Sequence, residues 1–246
     1  MIMYDEAMLG TLKSTYASLD AAYSIKIAEQ GGDQRLGMGV GLTYGHKRVD
    51  FSQLNFSQQF TGSGFDTNLP TGEAAFTNMT DYLSVSTGLL YTYNSRYSNL
   101  DIGVAAYHLN KPKQTVVADP NQYLAPRYVV HADYVNYLNS KVLLFSNSIY
   151  QTQSKANYFS VGGGAGYVMS EEGEEDMIFN VGLWYWSNNA IIPYIGFTFN
   201  KLQLGLSYDI TTSQLSSAAR RPQTFELSIT FRGGDRADNS VPSLWK

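Results

Sequence analysis

Residues 201–211, KLQLGLSYDIT, alternate in polarity almost without a break. Leu202, Leu204, Leu206, Tyr208 and Ile210 fall on one side; Gln203, Gly205, Ser207, Asp209 and Thr211 fall on the other. Successive side chains of a strand point to opposite faces, so this segment is a strand with one apolar and one polar face. Related patterns occupy 15–27, 36–52, 82–94, 99–110, 128–138, 141–152, 157–169, 177–187, 190–199 and 224–231. They predict about eleven strands and no amphipathic helix. The chain reads as all-β.

Strand length and loop length say which way the apolar faces point. Most of these strands span about 9 to 13 residues, against roughly five or six in soluble sheets, and a tilted strand crossing lipid needs about 9 to 11. Alternate connections, at 28–35, 95–98, 139–140, 170–176 and residue 200, are short. The other set includes the long segments 53–81, 111–127 and 212–223, together with the short 153–156 and 188–189. Short turns at one end and longer loops at the other are the asymmetry of outer-membrane barrels. Aromatic rings crowd the strand ends, at Tyr91, Tyr93, Tyr185, Trp186, Phe197, Phe199, Phe225 and Phe231, as interfacial girdles do. The pattern therefore predicts a transmembrane, antiparallel, up-and-down β-barrel with apolar faces toward lipid.

Composition narrows the function classes. Only 15% of the 246 residues are charged while 14% are aromatic, and the formal net charge is −4. No basic stripe is available to neutralise phosphates, which argues against nucleic acid as a partner. With no Cys, disulfides and thiolate metal sites are excluded. No run of 18 apolar residues offers a helical span. The start, MIMYDEAMLG, lacks the basic and apolar regions of a secretory signal. Because single-chain bacterial barrels have even strand numbers, an odd count of about eleven is expected to reflect a truncated N-terminus, with 12–14 strands in the intact protein. A mis-split 36–52, or a strand overlooked within 53–81, is the competing explanation. One barrel domain over 1–246 is expected, with strands within about 15–232 and a C-terminal extension over 233–246.

The C-terminal third carries a more particular pattern. IFNVGLWYW, AIIPYIGFTFNKLQLGLSYDITTSQLSSAA and TFELSITF resemble the closing strands of the PorP/SprF family of Bacteroidetes outer-membrane proteins. The matching positions are Gly205, Tyr208 and Asp209, then Ser213 and Leu215, then Glu226. Upstream, LDIGVAAYHLNKP (100–112) resembles the family's Gly-rich strand ending in His-Leu-Asn before a loop. The likeness covers roughly residues 15 to 232. It departs at Trp186, where an Arg is common, at the missing family N-terminal segment, and at the tail RGGDRADNSVPSLWK. The resemblance implies a non-enzymatic outer-membrane component of type IX secretion and gliding motility. Its expected partners are periplasmic secretion-ring proteins or a secreted surface adhesin.

Candidate chemistry is sparse. His46, His108 and His131 are the only histidines, and none forms a recognised ligand spacing, so no metal site is expected. No serine is marked as a nucleophile, and pairing Ser148 or Ser160 with His131 has no support in the pattern. VGGGAG (161–166) lacks the Gly-Lys-Ser/Thr of a phosphate loop. Its glycines fit strand bending or close approach by an internal plug. No catalytic residue and no cofactor is therefore assigned. Asp209 and Glu226 lie on polar positions of neighbouring strands and need basic partners, with Arg127, Arg220 and Arg221 as candidates for a lumen charge network. SEEGEED (170–176) supplies a solvated acidic turn, in which Glu171, Glu172, Glu174 and Glu175 form a candidate periplasmic docking site. An outer-membrane pore or small-solute channel is the alternative function that barrel physics alone allows.

Overall fold

A computed structural model of the chain describes residues 1–7, 11–29, 31–50, 54–72, 81–114, 122–170, 177–212 and 224–231. Twelve strands form one sheet: β1 (Ile2–Ala7), β2 (Leu12–Ala28), β3 (Asp33–Val49), β4 (Tyr82–Asn94), β5 (Ser98–Tyr107), β6 (Arg127–Tyr137), β7 (Val142–Gln153), β8 (Ala156–Val168), β9 (Met177–Trp186), β10 (Ala190–Phe199), β11 (Leu202–Thr211) and β12 (Thr224–Phe231). They are hydrogen-bonded in sequence order from β1 to β12. This antiparallel up-and-down order is that of a β-barrel.

The strand that the alternation missed is β1. It pairs antiparallel with β2, Ile2 opposite Ala17 through Ala7 opposite Leu12, and it restores an even count. Neither competing explanation of the odd count is needed. Residues 36–49 belong to one unbroken strand. Among the described residues of 54–72 the only extended pairing is an isolated bridge between Phe60 and Phe65. At six residues, MYDE flanked by Ile2 and Ala7, β1 is too short and too polar to announce itself by periodicity.

Two compact units can be distinguished. The first is built from Met1–Ala22, Gly39–Thr87 and Ala106–Arg127; the second from Tyr23–Met38, Gly88–Ala105 and the described residues from Tyr128 on. In the second unit the β9–β12 registers place Phe179, Ile195, Phe197, Leu204, Leu206, Leu227 and Ile229 side by side on one face. Phe179, Ile195, Leu204, Leu227 and Ile229 are exposed, Ile195 by 49%, while Phe197 and Leu206 are half-buried. The opposite face carries Asn180, Thr198 and Gln203, which are buried. A water-soluble sheet would bury the first set and expose the second. The polarity is inverted relative to a water-soluble sheet, the pattern of transmembrane β-barrels.

The polar face of the second unit is packed by aromatic rings laid over glycines. Phe145 stacks on Trp184 with centroids 6.0 Å apart, and Trp184 meets Tyr194 edge-on at 5.9 Å. A Cβ on Gly162 or Gly182 would strike Trp184, one on Gly164 would strike Phe145, and one on Gly196 or Gly205 would strike Tyr194. In the 161–166 run, the space over Gly162 and Gly164 is filled by the chain's own rings, where strand bending or close approach by an internal plug was expected. Trp186 also lies on this face, edge-on to Tyr158 at 5.5 Å, rather than in the outward girdle with Tyr185.

Candidate functional site

In the first unit, polar side chains gather where β3, β4 and β5 run out into the long connections. Alternation in β3 puts Tyr44 and His46 on one face, and both reach Asp81, the residue before β4. Tyr44 donates to Asp81 Oδ2 at 2.5 Å, and His46 Nδ1 lies 2.5 Å from Oδ1. Hydrogen bonds from Tyr44, and next from His46, hold the Asp81 carboxyl below its usual range. The cluster ties together the two ends of the 50–81 connection.

A second tie closes the end of β5. The chain turns out of the strand at His108 with φ 56° and at Lys111 with φ 45°, conformations that cost non-glycine residues free energy. The side chain of Asn110 holds the turn by acting as a substitute strand against β4. Its Oδ1 accepts from Val85 N–H at 3.1 Å, and its Nδ2 donates to the Leu83 carbonyl at 2.7 Å. Ser84, only 3% exposed, lies 2.7 Å from His108 Nδ1. Tyr82 is edge-on to the His108 ring at 6.5 Å. Burial, and then the charge of Arg127, push His108 below the ordinary imidazole value. With its hydroxyl shut away from solvent, Ser84 is a structural hydrogen-bond partner rather than an exposed nucleophile.

The candidate charge network falls only partly within the described residues. Asp209 lies opposite Thr224, and Glu226 opposite Ser207, on the polar face of the β11–β12 pair. Their ordering in sequence places the two carboxylates diagonally across one strand pair. Arg127 instead covers the Tyr107 ring, with its guanidinium carbon 4.4 Å from the centroid. None of the described ion pairs includes Asp209, Glu226 or Arg127. Arg220 and Arg221 lie outside the described residues. So do Glu171, Glu172, Glu174 and Glu175; the flanking Ser170 is described, its carbonyl accepting from Lys141 Nζ at 2.9 Å.

Each histidine has a carboxylate or hydroxyl partner; the partners of His46 and His108 lie too far along the chain for spacing to disclose. His131 and Asp133 sit two apart on β6, hence on one face, with Nδ1 3.1 Å from Oδ2. Asp133 in turn accepts from Asn147 Nδ2 at 2.5 Å. A His-x-Asp pair inside an alternating strand was a legible signal. Ser148, next to Asn147 on β7, points to the other face by alternation. Among the described residues no group of three or more His, Cys, Asp or Glu is arranged to hold a metal ion.

The long connection between β3 and β4 contains a further built element. A single 3-10 turn, Ser57–Gln59, leads into a tight reversal closed by the Phe60–Phe65 bridge. Gln59 is buried at 4%. Its Oε1 accepts from Phe56 N–H at 3.1 Å, and its Nε2 donates to the Leu69 carbonyl at 3.1 Å. The sequence pattern predicted only a long connection here. The signal lay in two phenylalanines flanking TGSG.

No curated protein matches the chain. The family model described as type IX secretion system membrane protein PorP/SprF matches residues 1–231. The sheet with inverted polarity and the match over almost the whole chain agree on one assignment: the chain belongs to the PorP/SprF family of type IX secretion system membrane proteins.

Proposed function

We propose that this chain is an outer-membrane docking component of the type IX secretion machinery. The observation that carries the reading is the inverted polarity of its sheet, apolar side chains exposed and polar ones buried, in a chain of this family. Its apolar face lies in outer-membrane lipid, its long connections 53–81, 111–127 and 212–223 face the cell exterior, and its 170–176 turn faces the periplasm. Asp209 and Glu226 brace the polar face, with Arg220 and Arg221 as their expected partners. The acidic residues Glu171, Glu172, Glu174 and Glu175 contact periplasmic secretion proteins. Exposed loops held by a rigid sheet suit recognition.

Replacing those four glutamates with Ser should leave membrane insertion intact and weaken periplasmic docking. Pull-downs from solubilised outer membranes of a secretion-competent cell compare the variant with the wild type. Recovery of secretion components by the wild type and their loss with the variant supports the reading. Recovery by neither protein overturns it in favour of a pore.

A further inference from the structure

The strongest unassigned feature is the reversal at 60–65. Phe60 and Phe65 pack edge-to-face with centroids 5.3 Å apart, yet remain 56% and 54% exposed. Holding two rings in water is unfavourable, and the chain spends structure on doing so. Thr61 N–H donates to the Gly64 carbonyl at 2.9 Å, and the Thr61 hydroxyl donates to the same oxygen at 2.9 Å. Gly62 turns at φ 74° and Gly64 at φ 152°, conformations that side chains rarely adopt. Beneath the rings, Asp66 N–H donates to the carbonyl of buried Gln59 at 2.8 Å. The rings are presented on a hydrogen-bonded scaffold rather than on a slack loop.

We propose that Phe60 and Phe65 form a preorganised aromatic finger that inserts into an apolar pocket of a protein partner on the loop side of the sheet. This deepens the docking function proposed above and rests on it. Three features point to that occupant. Residues 51–72 contain no Lys or Arg, and Asp66 is their only charge; an anionic lipid or polysaccharide surface would call for cations. Asp66 already accepts from the backbone N–H and side-chain amide of Asn68, each at 3.0 Å, and Thr61 is satisfied within the turn. The one charge of the segment and the Thr61 hydroxyl are thus engaged within the turn, while both rings stay exposed. Finally, rigid aromatics lose little conformational entropy on binding and are enriched at the centres of protein interfaces. Two half-exposed rings offer on the order of 200 Å², against about 800 Å² per partner in a stable complex. The finger is the anchor of a contact, not the whole of it.

A photoreactive phenylalanine analogue placed at Phe60, in intact secretion-competent cells, should cross-link to one protein that is not cross-linked from Thr67. That protein, purified and titrated onto the full chain in nanodiscs, should bind the F60S/F65S variant about thirtyfold more weakly than the wild type. Q59A, which keeps both rings but removes their scaffold, should weaken binding by a smaller factor. A cross-link to lipid or polysaccharide, a cross-link to a second copy of the chain, no cross-link, or unchanged affinity of F60S/F65S would each overturn the finger. If that happens while the wild type still co-purifies with secretion components, the docking function stands and only the finger falls. If nothing co-purifies, both fall.

Discussion

The two units combine the same two devices in different proportions, for the first also lays Tyr82 over Gly45 and the second also ties His131 and Asn147 to Asp133. In the second, the β7–β12 pairs are laid down by packing: Phe145, Trp184 and Tyr194 lie across glycines that leave no room for a Cβ. In the first, the ends of β3, β4 and β5 are held by discrete polar ties, Asn110 to the β4 backbone and Tyr44 and His46 to Asp81. Packing of this kind tolerates almost no change in volume. A polar tie can be cut one bond at a time and leave the rest standing. Ring packing is the more prominent device in the second unit, and polar ties at strand ends are the more prominent in the first.

The largest expected effect tests the facing of the second unit. Leu204→Arg, on the apolar face of β11, should cost about 2–4 kcal/mol of stability in a bilayer folding assay, and Ser207→Arg on the polar face much less. Equal costs would remove the distinction between the faces. Next comes the packing itself. Gly164→Ala drives a Cβ into the Val181 carbonyl and the Phe145 ring, and overpacking of this kind should cost about 1–3 kcal/mol. Gly39→Ala, in the first unit, would meet its nearest atom, the Ala21 carbonyl, at an ordinary 3.6 Å. Its cost should stay within about 0.5 kcal/mol, as for unconstrained sites. If denaturant titration gave both variants the same loss, glycine would not be what sets the second unit apart. The smallest effect is expected from Asn110→Ala, which removes two hydrogen bonds at an exposed turn. At about 1 kcal/mol or less in global stability, it should show chiefly as faster amide exchange at Val85, read by hydrogen-exchange mass spectrometry. Unchanged exchange there would mean that Asn110 does not hold the turn.

Sequence pattern alone determined a good deal about this protein. Eleven strands, their antiparallel succession, the inversion of their faces and the family resemblance were all legible, because strand alternation and an exposed apolar face write themselves directly into neighbouring residues. A local feature too short for periodicity escaped: β1 has six residues and depends on β2 for its pairing. What only the tertiary structure decided were the partners. Asp81 meets His46 across 35 residues, and His108 meets Ser84 across 24. Arg127 covers the Tyr107 ring, a contact that charge counting does not suggest. The space over Gly162 and Gly164, read as room for strand bending or a plug, is occupied by the protein's own rings. The physical reason is range: alternation records which face a residue occupies, while a hydrogen bond or ring contact depends on register and on residues far away in the chain, which no local pattern encodes.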